Sequence, residues 1–220
     1  MPLQSSVTDR AILLTGFGPF PGVPTNPTEA IAEILHDQQI GDHRIVGAPL
    51  EVCFESIHRQ VSVLLKAHQP RAIVLLGVAI GRNWIHLEGQ AYNCREGQRP
   101  DAKGQKLRQD EPLSETQAFG SSIHTRVKRQ PILDGLRFAN LPSDLSEDPG
   151  RYLCNASFFH ALQKSRGHTL DGHCLFVHLP QIGNPFGSQQ NKKWQFEDLQ
   201  HATHIILEQI ERQLRESPRA

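Results

Sequence analysis

No run in this 220-residue chain is apolar and long enough to span a membrane, and the opening MPLQSSVTDR has neither the basic nor the apolar region of a secretory leader. A cytoplasmic location is the expectation. Charge of one sign is missing as well: Lys plus Arg number 23 and Asp plus Glu number 23, so the formal net charge is zero. With no basic stripe, a nucleic-acid partner is not expected, nor is a membrane one. The four cysteines, Cys53, Cys94, Cys154 and Cys174, form no CxxC pair and no dense framework, which suits free thiols in a reducing compartment.

Catalytic and cofactor signatures are sparse. H-E-x-x-H and G-x-S-x-G are both missing, which argues against a zincin and against a serine hydrolase of the α/β-hydrolase kind. His86-Leu87-Glu88 is an H-x-E triplet without the downstream P-C-x-x-C of zinc deaminases. His168, His173, Cys174 and His178 lack a metal-ligand spacing, so no metal is expected. The turn GFGPFPG at residues 16 to 22 superficially suggests a dinucleotide fingerprint. Pro19 and Pro21 occupy it, however, Gly22 comes one position late, and the next helix starts only near Pro27. No cofactor is expected.

What is present is an alternation of strands and helices. Ala11 to Thr15 reads as a strand, Thr28 to Asp37 as an amphipathic helix, Arg44 to Leu50 as a strand, Phe54 to His68 as a helix and Ala72 to Leu76 as a strand. This βαβαβ run predicts a mostly parallel sheet with helices on both faces, within a single domain. Trp84 to Tyr92 reads as extended, residues 95 to 118 as a polar hairpin or protruding arm, and a further strand is expected near Leu136 to Leu141. The final helix is expected from Lys193 to about Arg215, with residues 216 to 220 as a frayed tail.

Two segments carry the chemistry. In DPGRYLCNASFF, Asp148 reads as an N-cap and Pro149 as the first helical residue, which places Cys154 near the positive end of a helix macrodipole. In CLFVHLP, a short apolar run ends at Pro180, so His178 lies near the carboxyl end of a buried strand, where α/β sheets gather reactive groups. A thiol that attacks must first lose its proton to a base in a positive environment. Trp84, His86 and Glu88 share one face of an extended segment, and Glu88 there could fix the tautomer of His178. Phe17 and Phe20, at the end of the first strand, could wall a small apolar pocket. Structural alternatives stand beside each of these: a buried thiol, a core histidine, a solvated glutamate and ordinary core aromatics.

Four ordered segments together resemble the pyroglutamyl peptidase I (pyrrolidone-carboxylate peptidase) family of cysteine peptidases. LLTGFGPFPGVPTNPT is similar to its T-G-F-x-P-F-x-G and N-P-[ST]; GVAIGRNWIHLEGQAYN to its G-x-A-x-G-R, I-x-x-E and A-x-N; YLCN to its [FY]-[VL]-C-N; and HLP to its H-[IVL]-P. The resemblance implies a single-domain α/β/α sandwich with a twisted mixed, mostly parallel sheet of the phosphorylase/hydrolase-like type, often assembled as a homotetramer. It implies an omega peptidase that takes peptides with N-terminal pyroglutamate. Cys154 is then the nucleophile, His178 the base and then the acid, Glu88 the orienting carboxylate, and Phe17 and Phe20 the pocket aromatics. Departures fall at Val78, where the family commonly has Gln, at Gly89-Gln90, and at Gln98, one position before Arg99 where an Arg is expected. Pocket polarity therefore differs from the family pattern. Other classes for the same fold are a catalytically impaired binding or scaffolding protein and a nucleoside phosphorylase-like transferase.

Overall fold

The computed structural model describes residues 11–96, 98–107, 110–165 and 173–216. Along the chain run β1 (Ala11–Phe17), α1 (Pro27–Leu35), β2 (Gln39–Ile40), β3 (His43–Leu50), α2 (Ile57–His68), β4 (Ala72–Ala79), β5 (Ile85–Glu88) and β6 (Gln90–Tyr92). There follow β7 (Ser122–His124), α3 (Arg129–Phe138), β8 (Ser143–Ser146), α4 (Leu153–Ser165), β9 (Cys174–Pro180), β10 (Pro185–Phe186), β11 (Gln189–Lys193) and α5 (Phe196–Glu216). Seven strands form the main sheet in the order β2-β3-β1-β4-β9-β5-β8. The pairs β1 with β3, β1 with β4, β4 with β9 and β5 with β8 are parallel, whereas β2 with β3 and β5 with β9 are antiparallel. The sheet is thus mixed and mostly parallel.

Alternation of side chains sorts the core into two layers. Ile12, Leu14, Val74, Leu76, Leu175 and Val177 join residues of α1, α3 and α5 on one face. Leu13, Phe17, Ile73, Leu75, Cys174 and Phe176 join residues of α2 and α4 on the other. An α/β/α sandwich results: β1 and β9 are buried at every position, and strands covered on both sides read as mostly apolar runs, interrupted here by Thr15 and His178. The period of two also decides the site. Cys174 and Phe176 face α4, so His178 does too; Ile85 and Leu87 face the other layer, which turns Glu88 toward α4.

Three expectations change. Residues 136 to 141 are not a strand: Ile132, Leu133 and Leu136 form the buried stripe of α3, and the neighbouring strand is β8, SDLS, at the sheet edge. An edge strand with exposed Asp144 and Leu145 has no apolar run to announce it. The last helix starts at Phe196, because Gln189–Lys193 pair with Pro185–Phe186 as a small hairpin. Where a polar hairpin or arm is expected over residues 95 to 118, the described residues form a bridged loop that packs back on the core. Its bridge between Arg95 and Glu111 closes a loop whose ends are tied by Asn93: the amide donates to Ser114 O and Gln117 O, both at 2.9 Å, and the carbonyl accepts from Leu113 N and Ser114 N, both at 2.8 Å. Asp101 is buried and accepts from Phe54 N at 3.1 Å, while Leu107 and Leu113 pack on the α2 and α4 layer. The buried polar side chains of Asn93 and Asp101 satisfy backbone groups here. Residues 217 to 220 of the expected tail, the N-terminal ten residues and His168 lie outside the described residues. Among the described residues no helix is long and apolar enough to cross a membrane.

Candidate active site

Cys154 is the second residue of α4, although not by the route expected. Asp148 does not cap the helix and Pro149 does not open it. Gly150 takes a positive φ of 77°, its N–H bonds to Asp148 Oδ1 at 3.0 Å, and the chain makes a polar turn before the helix begins at Leu153. The consequence is that Cys154 sits closer to the helix N-terminus than a start at Pro149 would place it. Cys53, Cys94 and Cys174 are buried, whereas Cys154 is partly exposed.

Gly77 locates the sulfur. This residue of β4 pairs with His178 in the β4–β9 register, and a Cβ on it would lie 3.0 Å from Cys154 Sγ and 2.8 Å from the Phe176 ring. The bare backbone of Gly77 is what lets the thiol descend to the level of His178. Behind the imidazole, Nδ1 of His178 is 2.7 Å from Glu88 Oε1, and Glu88 is fully buried. With Nδ1 occupied, Nε2 is the nitrogen left for the thiol, which is both a hydrogen-bond and a charge partner of the ring. Because β5 runs antiparallel to β9, His86 pairs with His178 and Glu88 pairs with Phe176. Glu88 and His178 are therefore diagonal neighbours on one face, within reach of long side chains.

Electrostatics follow from this packing. Burial lowers the pKa of His178, but the charge and hydrogen bond of Cys154, then those of Glu88, overcome it and raise the group to about 9. Burial pushes the Glu88 carboxyl up, yet the His178 hydrogen bond and charge, helped by Arg82, hold it below its ordinary value. Imidazolium and carboxylate are therefore the favoured forms of His178 and Glu88 near neutral pH.

The sulfur and the ring open on a cavity of about 480 Å³. Phe17, Phe20 and Val78 line it, as does Arg99, whereas Gln98 is not among the lining residues. Sequence reasoning did not pick out Arg82, which lines the cavity and donates to Glu88 Oε1 at 3.1 Å. Nor did it pick out Tyr152, which faces Phe20 with ring centroids 6.3 Å apart and donates to Pro100 O at 2.7 Å. Both lie within the quoted motifs, but which motif residue turns inward depends on turns that carry no periodicity. Among the described residues no group of three His, Cys, Asp or Glu side chains is gathered to hold a metal.

The model of the pyroglutamyl peptidase family matches residues 10–210. The chain belongs to this family. It is 33% identical over 204 residues to a pyrrolidone-carboxylate peptidase of Oceanobacillus iheyensis, covering 90% of this chain and 98% of the relative. A pyrrolidone-carboxylate peptidase of Deinococcus radiodurans is 35% identical over 171 residues, 77% of each chain. The crystal structure of pyrrolidone carboxyl peptidase from Pyrococcus furiosus superposes with a TM-score of 0.84 at 26% identity, over 93% of this chain and 99% of that one. The family match spans every element that forms the cavity, from β1 to β9.

Proposed function

We propose that this member of the pyroglutamyl peptidase family is a cysteine-type omega exopeptidase that hydrolyses the N-terminal pyroglutamyl (5-oxoprolyl) residue from peptides. Cys154 is the nucleophile, His178 the general base and then acid, and Glu88 the orienting carboxylate. The observation that carries the reading is the meeting of α4 and β9 over Gly77, with the Glu88 carboxylate 2.7 Å behind the imidazole. The thiolate attacks the carbonyl of the pyroglutamyl peptide bond, and His178 gives its proton to the departing amine. Water, deprotonated by the now neutral imidazole, then cleaves the thioester and restores the sulfur. Backbone N–H groups near Cys154, at the start of α4, hold the oxyanion in this reading.

Phe17, Phe20 and Val78 supply apolar walls for the faces of the flat, neutral lactam. An ordinary N-terminus would enter the same space as an ammonium ion. The two carboxylates on the cavity are already engaged, Glu96 with Arg99 at 3.7 Å and Asp148 with Arg151 at 2.6 Å, so that charge would lose its solvation without gaining a counter-ion. Family resemblance supports three further parts of the reading: one peptidase domain, a homotetramer and a cytoplasmic location. Light scattering of the purified chain checks the assembly.

Release of the fluorophore from a pyroglutamyl coumarin amide tests the activity. It is expected with the reduced native chain, blocked after thiol alkylation, and lost in Cys154→Ala. Full activity in Cys154→Ala would refute the mechanism; no turnover in the fully reduced native chain would return the protein to the non-catalytic binding class.

A further inference from the structure

Arg82 sits in the tight turn after β4, where its N–H bonds to Ala79 O at 3.2 Å. Its two terminal nitrogens serve different elements: Nη1 donates to Glu88 Oε1 at 3.1 Å, and Nη2 donates to Asp148 O, in the turn ahead of α4, at 3.0 Å. The turn itself is held from behind, since Asn184 Nδ2 donates to Arg82 O at 3.0 Å and the buried Trp194 indole donates to Asn83 O at 2.8 Å. Arg82 is one-third exposed, but its partner Glu88 is not exposed at all, so this is not a surface pair of small consequence.

We propose that Arg82 is a positioning residue for the reaction: one guanidinium clamps the Glu88 carboxylate to the turn that precedes the Cys154 helix, holding acid, imidazole and sulfur in a single geometry. The proposal rests on the roles assigned above to Glu88 and His178. Two consequences follow. Glu88 Oε1 accepts from both His178 and Arg82, so the guanidinium takes a share of the negative charge that would otherwise act on the ring. Asp148 Oδ1 is committed within its own turn, to Gly150 N and Arg151, which leaves the Asp148 carbonyl as the link from that turn to the acid. Only a planar fork anchored at this spacing reaches both acceptors; an ammonium group is a single point of charge.

The test compares Arg82→Met and Arg82→Lys in the full chain. Removing the fork and its charge is expected to lower kcat by up to about a hundredfold through misplacement of the reacting groups. KM for the coumarin amide should change less than kcat, because Arg82 is one lining residue of the cavity while its apolar walls Phe17, Phe20 and Val78 are untouched. In Arg82→Met the alkaline limb of kcat should also move up by about one pH unit, since His178 then sees the whole carboxylate charge. Arg82→Lys should keep that limb near its native position while recovering kcat only in part. The pH dependence of Cys154 alkylation by iodoacetamide reads the same shift without turnover, on protein whose thermal melting shows it folded. Native kcat and an unmoved limb in Arg82→Met would overturn the proposal, as would an unmoved alkylation profile in the folded variant. If the native chain itself hydrolyses no pyroglutamyl amide, the assignment of function fails instead, and alkylation alone judges the clamp.

Discussion

His178 and His160 are both buried, each 5% exposed, yet their basicities have moved in opposite directions. His178 rises to about 9 and His160 falls to about 3. Burial lowers both. What differs is the company: Cys154 and Glu88 stand beside the first, whereas His58, Lys164 and Arg95 face the second, with the His58 ring centroid 4.6 Å away. Desolvation sets how strongly neighbours act, and the sign of the neighbours sets the outcome.

Among changes that leave the sulfur in place, the one expected to disturb this contrast most is Glu88→Gln. Without the carboxylate, His178 loses one of the two groups that hold its proton, and its basicity should fall from about 9 toward that of an unassisted buried imidazole. Activity on the pyroglutamyl amide should drop by about 10²- to 10⁴-fold, and the NMR titration of the ring should shift to lower pH. A titration unchanged from the native protein would show that Glu88 does not act on the ring.

Gly77→Ala attacks the other partner. The added methyl would meet the sulfur at 3.0 Å and Phe176 at 2.8 Å, so Cys154 must retreat from the imidazole. A rate loss of up to about a hundredfold is expected. The accompanying loss of stability, about 1–3 kcal/mol by denaturant titration, is that of an overpacked core. Native alkylation kinetics in this variant would count against the close approach.

The smallest effect lies in the pH dependence of stability, where the two rings pull in opposite directions. The folded value of His178 lies above the ordinary one of 6.5, so its contribution is complete below pH 6.5 and disappears as pH rises through about 9. The folded value of His160 lies below 6.5, so its contribution is complete above that pH and disappears as pH falls toward about 3. Denaturation midpoints of His160→Phe should therefore fall less between pH 7 and pH 4 than those of the native chain, with the alkaline side unchanged. An unchanged acid slope would remove His160 from the account.

Much of this was legible because the signals were local. The apolar runs of β1, β4 and β9 exist because those strands are covered on both faces, and the alternation in Ile85-His86-Leu87-Glu88 survives in the packing. The placement of Cys154 early in a helix was readable, but the helix start was not. Asp148-Pro149 looks like a cap, and only the positive φ at Gly150 diverts it into a turn. The edge strand β8 was opaque because its exposed residues form no apolar run, and the folded-back segment 95 to 118 because its polar groups are satisfied by partners distant in the chain, such as Asn93 and Phe54, a pairing that leaves no period behind. Arg82 belongs with them, since a guanidinium whose partners lie 6 and 66 residues further along the chain cannot be told from a solvated one by its neighbours.

By itself the sequence determined which chemical groups are available and which side of its own strand or helix each one occupies, because those properties depend on residue type and on the short repeat of the backbone. Tertiary structure decided who meets whom. The sheet order that sets β5 antiparallel against β9, and the bare Cα of Gly77 beneath α4, bring a carboxylate, a ring and a sulfur together. Such contacts are made by elements separated by tens of residues, whose mutual placement is settled only when the whole core packs.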